Sequence, residues 1–424
     1  MIYILAPFNL HINTTSRNRI LSFYKAIKAH GLDVTFINPP LIGRDREIYL
    51  NGLLNDNSID KDSLVNIPLQ ESVPDRIVSA LVKKPNYKTA FALLNLSYLI
   101  LSGKDFNYPS QSLNSYFKTT PLNTEDVLLA SAPPSTLLVD ARKIAKKAGC
   151  KLILDYRDPW TYGYKPIDSM PLINDLKKYK SRAEENKCLE YATLVNCDSA
   201  SVKKLFPRKF HHKINPILNG ANLQAIDLNR IEERNPSFRI VYLGTIYNDQ
   251  LIDESFFTVV KGFINQKQIN KGQFELVFIG SAKNQRLRHI ISAHQLNDFA
   301  LITERVEISK AMEIAYTASA FLHLKYGSRA EVDTSKHLDY LALQKPILLP
   351  VTDNGNVASL IKKDNAGYVA ESTEQCFAVI EELWNKHQRG ESMKTPRSPE
   401  FLYSISREAE ANKLVDLIKK HCLG

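Results

Sequence analysis

The alternation of buried-strand runs with helical segments limits the folds open to this chain more than any other feature. In the second half the apolar runs RIVYLG at 239–244, FELVFIG at 274–280, RVEI near 305–308, AFLHLK at 320–325, PILLP at 346–350 and GYVA at 367–370 each read as a strand. Helical spacing fills the intervals at Glu254–Lys267, Gln285–His294, Lys310–Ala318, Ser335–Leu343, Asn356–Lys363 and Thr373–Gln388. Strands apolar on both faces and separated by helices belong to a parallel sheet covered on both sides, so this half is an α/β domain.

The first half carries the same signature with one interruption. Residues 2–6 and 32–37 read as strands joined by a helix from Ser16 to His30 that Gly31 closes. Strands follow at 126–131, 151–155, 193–196 and 214–218, with helices at Thr136–Ala148, Pro171–Tyr191 and Ser199–Phe206. Between Pro39 and Leu122 the signal weakens: Asp75–Lys83 and Tyr87–Leu101 read as helices, and Asn107–Thr120 as polar loop. The tail from Phe401 to His421 reads as one amphipathic helix. A chain of 424 residues exceeds one ordinary core and fits two domains. The expected division is 1–222, a linker at 223–238, 239–400, and a final helix at 401–424 that returns to the first domain.

Charge and cysteine usage narrow the class. A formal charge of +10 calls for anionic company, whether nucleotide diphosphate, nucleic acid or acidic lipid. The basic residues are dispersed and no base-reading motif is present, which argues against nucleic acid. The five cysteines are scattered without close pairing, as in a reducing cytoplasm. Ala90–Leu101 is the most apolar stretch and falls short of the roughly 20 residues needed to span a bilayer. It reads as a core helix, although Lys83, Lys84, Lys88 and Lys104 beside it also admit a peripheral contact with an anionic membrane. The N-terminus enters a strand directly, with no basic leader.

Chemistry concentrates in the stretch Glu331–Pro350. Asp333, Thr334 and Ser335 are good N-cap residues for a short helix that carries Lys336 and Asp339 at its opening. Such a helix aims unpaired N–H groups and a positive dipole end into the crevice at the sheet edge, where a diphosphate is stabilised. Lys336 opposes that dipole unless an anion lies nearby, while Glu331 and Asp339 suit the hydroxyls of a sugar. Strand-ending glycines at Gly244-Thr245 and Gly280-Ser281 allow backbone to approach a ligand closely. In the first half, Asn13, Thr14, Arg17 and Arg19 surround the opening of the first helix, where cations again call for an anion. The block Asp155-Tyr156-Arg157-Asp158-Pro159-Trp160-Thr161 follows a strand and falls at the functional edge of its sheet. A plainer reading exists for each: Glu331 a solvated loop residue, Asp339 a dipole partner, and the Arg-Asp residues an internal pair bracing a loop.

Glu331 and Asp339, followed by the Gln344-Lys345-Pro346 corner, resemble the E-x7-E element of family 4 retaining glycosyltransferases of the GT-B fold. The Ser131-to-Pro134 turn, the Asp155–Thr161 block and the Asn219-Gly220-Ala221-Asn222 loop are similar to elements of the same family. The resemblance covers nearly the whole chain except about 39–122. It implies two Rossmann-like domains facing across a cleft, the second holding a nucleoside-diphosphate sugar and the first a glycan or lipid-linked acceptor. The basic balance and the apolar helix point to a lipid-linked or cell-surface polysaccharide or glycolipid precursor at the inner membrane face. The resemblance further implies metal-independent glycosyl transfer with retention and no cofactor beyond the sugar nucleotide. Under it Glu331, Ser335, Lys336, Asp339, Gly244, Thr245, Gly280 and Ser281 bind the donor, with Lys325 and Arg329 as further cations, and Asp158, Asp155 and Arg157 serve catalysis. The chain departs from the family in having Asp339 as the second acid, Gln344 in place of a glycine, no histidine in the Asp155–Thr161 block, and Gly244-Thr245-Ile246-Tyr247 where an arginine and a Lys-Gly are usual. Those departures keep two other readings open: a catalytically degenerate homologue acting as a partner, and a GT-B nucleotide-sugar epimerase or phosphorylase.

Overall fold

The computed structural model describes residues 1–12, 15–41, 59–70, 76, 108–162, 171–327, 329–330 and 335–423. The expected helices at Asp75–Lys83 and Tyr87–Leu101, the lysines beside them, and Asn13, Thr14 and Glu331 therefore lie outside the described residues, as does the side chain of Ser335. The chain divides into two compact units, Met1–Asn219 with Glu408–Gly424, and Gly220–Arg407.

In the first unit, the described strands are β1 (Ile2–Leu5), β2 (Val34–Asn38), β3 (Leu64–Asn66), β4 (Val127–Ala132), β5 (Lys151–Tyr156), β6 (Leu194–Cys197) and β7 (Ile214–Pro216). They form one parallel sheet in the order β3-β2-β1-β4-β5-β6-β7. The described helices are α1 (Thr15–Ala29), α2 (Ser110–Thr119), α3 (Ser135–Ala148), α4 (Pro171–Tyr191) and α5 (Ala200–Leu205). Strand β4 is buried at every position because helices cover both faces, which is why its sequence shows no alternation. The C-terminal helix packs into this unit: Ala411, Leu414, Val415 and Ile418 share a core with Ile2, Ile4, Ile20 and Ile27.

The second unit repeats the plan. Strands β8 (Phe238–Leu243), β9 (Phe274–Ile279), β10 (Ala300–Ile302), β11 (Ala320–Leu322), β12 (Ile347–Leu349) and β13 (Gly367–Val369) lie parallel in the order β10-β9-β8-β11-β12-β13. The helices are α6 (Ser255–Gln266), α7 (Gln285–Ala293), α8 (Ile308–Tyr316), α9 (Ser335–Ala342), α10 (Asn356–Lys363), α11 (Thr373–Gln388), α12 (Pro399–Ser404) and α13 (Arg407–Ile418), the last lying almost wholly in the first unit. In both sheets the strand order reverses direction beside the first strand, which opens a crevice at the carboxyl ends.

The structure corrects the sequence reading at three elements. RVEI is no strand: β10 ends at Ile302, residues 303–307 form a loop, and Ile308 opens α8. The segment read as polar loop at Asn107–Thr120 contains α2, whose Leu113 and Phe117 are buried. The tail is two helices, α12 and α13, separated where Ala221 pairs with Ser406 in a parallel bridge. All five cysteines are buried free thiols. Among the described residues no helix is long and apolar enough to cross a membrane.

Candidate functional site

The crevice of the second sheet is lined by the segments that leave β8, β9 and β11, with the head of α9 above it. Strand β8 ends in Gly244 at φ 95° and β9 in Gly280 at φ 84°, conformations that side chains resist. These two glycines lie against each other: a Cβ placed on Gly280 would stand 3.5 Å from the carbonyl carbon of Gly244. The Ser281 hydroxyl ties the two strand ends together, donating to the Gly244 carbonyl at 2.9 Å and accepting from the Ile246 N–H at 3.1 Å. Ser281 is thus a buried brace. The N–H groups of Gly280, Ser281 and Ala282 all point to the Thr303 carbonyl and are spent inside the protein.

Lys336 is half-buried and lies across this floor. Its Cε is 3.4 Å from where a Gly244 Cβ would be, and its ammonium sits 5.3 Å from the centre of the Tyr242 ring. Among the described residues no carboxylate comes within 4.0 Å of that ammonium. Burial pushes its pKa down to about 8, with Asp339 pulling the other way. Helix α9 holds the lysine there because Tyr340 stacks on Phe321 at 4.3 Å and accepts from the Leu243 N–H at 3.0 Å.

The other expected donor residues divide. Asp339 is one turn along α9; burial raises its pKa, opposed by Arg407, by the Asn222 backbone N–H that it accepts from, and by Lys336. It therefore grips the loop at Asn222. Lys325 is paired with Asp253 at 2.8 Å, and Arg329 with Asp249, so each is already matched by a carboxylate. Thr245 is bonded by a residue that the sequence reading does not single out: Arg305 donates through Nη2 to the Thr245 hydroxyl at 3.1 Å, and its Cγ lies beside Gly280. Arg305 is exposed in the loop after β10. Reading RVEI as a strand hides it; in a loop at the carboxyl edge it is a candidate cation.

In the first unit, Asp155 at the end of β5 is wholly buried. Arg19 reaches it from α1, with Nη2 at 2.7 Å from Oδ1 and Nε at 3.0 Å from Oδ2, and the Ser131 hydroxyl donates to Oδ2 at 2.7 Å. This pair braces β5, β4 and α1, and neither residue reaches solvent. Arg17 donates to the Leu10 carbonyl at 2.8 Å and is lowered in pKa by burial. Arg157 donates to the Pro133 carbonyl at 2.6 Å; burial lowers its pKa against the pull of Asp158. Asp158 is the exposed carboxylate of the block. Behind it, Thr161 is held by the wholly buried Glu185 of α4, which accepts from the Thr161 N–H at 2.9 Å and from its hydroxyl. Burial raises Glu185 to about 7. Among the described residues no group of His, Cys, Asp and Glu is arranged to hold a metal ion.

No protein-family model matches this chain, and no curated protein matches it in sequence. Solved structures do match in fold. The sucrose-phosphate synthase of Thermosynechococcus elongatus aligns with a TM-score of 0.64 at 11% identity, over 99% of this chain and 98% of that one. The pneumococcal O-GlcNAc transferase, solved with UDP and GlcNAc, gives 0.61 at 12% identity, over 99% and 98%. The UDP-GlcNAc 2-epimerase of Neisseria meningitidis, solved bound to UDP-GlcNAc, gives 0.55 at 11% identity, over 99% and 100%. The shared architecture is GT-B: two parallel-sheet, Rossmann-like domains.

Proposed function

We propose that the chain is a glycosyltransferase that moves a sugar from a nucleoside-diphosphate donor to an acceptor hydroxyl with retention, as family 4 enzymes do, in the synthesis of a surface polysaccharide or glycolipid. The observation that carries this reading is Lys336, a half-buried ammonium over the Gly244 floor with no carboxylate within 4.0 Å among the described residues. Such a cation is costly without an anion, and a diphosphate at the head of α9 supplies one. The demanding event in sugar transfer is departure of that diphosphate, so a cation fixed beforehand acts on the charge that develops there. Arg305 takes the place of the arginine that the family carries after its first glycine. Glu331 holds the transferred sugar, Asp158 orients the acceptor hydroxyl, and no metal or cofactor takes part. A nucleotide-sugar epimerase is the second reading, supported by the likeness to the Neisseria enzyme over its full length.

The test is donor binding and turnover. UDP, titrated calorimetrically, is expected to bind the wild-type chain, and Lys336→Met to weaken binding and slow transfer from a UDP-sugar by roughly 2–4 kcal/mol. Arg305→Ala should weaken UDP binding by about 1–2 kcal/mol. Unchanged binding and transfer in Lys336→Met would remove the site. Appearance of the epimer in place of transfer would select the second reading.

A further inference from the structure

Helix α9 runs from the carboxyl edge of the second sheet, where Lys336 stands, to the amino edge, where the chain turns at Gln344-Lys345-Pro346 into β12. At that amino edge lies a cavity of about 400 Å³, between the starts of β12 and β13, the end of α11 and the strap 392–397. Tyr368, Leu383 and Met393 give it apolar walls, and Lys386, Lys394 and Arg397 its charges; no Asp or Glu is among its lining residues. A volume of this size suits a small metabolite bearing a ring.

The cations are incompletely neutralised. Arg397 is held by two backbone carbonyls, donating to Asp364 at 2.5 Å and Asn365 at 3.0 Å, and its buried Nε has no partner. The Asp364 carboxylate that attracts it is hydrogen-bonded to His337 at 3.0 Å. Lys394 has Glu232 only at 3.7 Å. Lys386 is fully paired, with Glu382 at 2.7 Å and the Tyr368 hydroxyl at 3.3 Å. Next to the cavity is a second one of about 70 Å³ that shares Ser392 and Met393 with it. Lys345 lines it, only 3% exposed, with a single long bond of 3.4 Å to the Glu233 carbonyl. Arg234, Glu232 and Glu233 line the same space, and burial lowers the pKa of His387 beside them. Among the residues that line the two cavities cations outnumber carboxylates; Lys345 is buried and Lys386, Lys394 and Arg397 are half-buried, and cations partly withdrawn from water in excess call for an anion.

We propose that this amino-edge cavity binds a phosphate monoester carried on a ring, with Arg397 and Lys394 around the phosphate and Tyr368 and Met393 against the ring. It is separate from the donor crevice, since it opens at the opposite edge of the same sheet. The strap is fastened to the foot of α9: the Thr395 N–H donates to the Gln344 carbonyl at 2.8 Å, and the Arg397 N–H to the Gln344 side chain at 2.9 Å. An occupant therefore bears on the same helix that presents Lys336.

Glucose 6-phosphate is the probe for a soluble ligand, and vesicles containing phosphatidylinositol 4-phosphate, whose headgroup is a ring bearing a phosphate monoester, are the probe for a lipid headgroup. Wild-type protein should bind one of them saturably in the presence of excess UDP, and whichever binds identifies the source. Lys394→Glu, and separately Lys394→Ala, should weaken that binding by about tenfold or more while thermal midpoint and UDP affinity stay at wild-type values. Displacement of the probe by UDP, wild-type affinity in both variants, or saturable binding of neither probe would overturn the site. Because the probe is read directly, absence of UDP binding would sink the donor site and leave this test intact.

Discussion

Arg19 and Lys336 both sit near the starts of helices at the carboxyl edge of their sheets, yet burial gives them opposite roles. Arg19 has found its carboxylate in Asp155, with both side chains excluded from solvent. Removing one partner of such a pair strands the other charge, so Arg19→Met should cost roughly 3–5 kcal/mol in urea unfolding, and adding Asp155→Leu should recover most of it. A cost within experimental error of zero would refute the bracing role. Among the described residues Lys336 has no such partner, and its proton is loosely held. Between about pH 8 and its ordinary 10.5 the native chain has lost that proton while the unfolded chain keeps it, so this residue makes ligand-free stability rise across the window. A bound diphosphate favours the ammonium, so UDP affinity should fall as pH rises above about 8, with proton uptake on binding seen by calorimetry in buffers of different ionisation enthalpy. In Lys336→Arg the fall should vanish. A flat profile in the wild-type chain would mean that the ammonium does not meet the ligand.

At the scale of elements, the errors of sequence reading have identifiable causes. RVEI has the composition of a strand, but the pairing edge beside β9 is already taken by Ala300–Ile302, and Glu307 and Ile308 lead into α8. Local propensity cannot see which of two neighbouring runs reaches the sheet. Helix α2 escapes notice because its polar residues outnumber its apolar ones, while Leu113 and Phe117 alone supply the buried stripe. Helix α4 is legible from its length, but not the function of Glu185 within it, which fastens the strand-end block at Thr161. Glu185 has a native pKa of about 7 against an ordinary 4.5, so the native chain holds a proton that the unfolded chain releases. Stability from this group is present below pH 4.5 and lost as pH rises through 7. Glu185→Gln, which is never ionised, should flatten that decline and raise stability at pH 8 by about 1–3 kcal/mol. An unaltered pH profile in thermal unfolding would show that the carboxyl ionises freely.

At the scale of the whole molecule, one plan is used twice, and the chain ends by completing the unit it began with. Removing residues after Ser406 would take Leu414, Val415 and Ile418 out of the core that contains Ile2 and Ile4. Large-to-nothing changes at such positions cost roughly 2–5 kcal/mol each, more than a unit of this size holds in reserve. The truncated chain should show loss of hydrogen-exchange protection across β1, β4 and β5, while β8, β9 and β12 stay protected and UDP still binds. Equal loss in both units would contradict the division at Asn219.

The sequence by itself determined that this is a parallel α/β protein, because runs such as RIVYLG and PILLP are apolar on both faces and helices lie between them. It also placed the two strand-ending glycines and the helix that carries Lys336, since caps, glycines and periodicity are local signals. Only the tertiary structure decided what each charge does. Arg19 and Asp155 lie 136 residues apart and neutralise each other, Lys325 and Arg329 meet carboxylates from the loop after β8, and Arg305 arrives beside Thr245 from 60 residues away. Pairing is set by distance in space, and desolvation makes an unpaired charge costly only once the chain has closed around it.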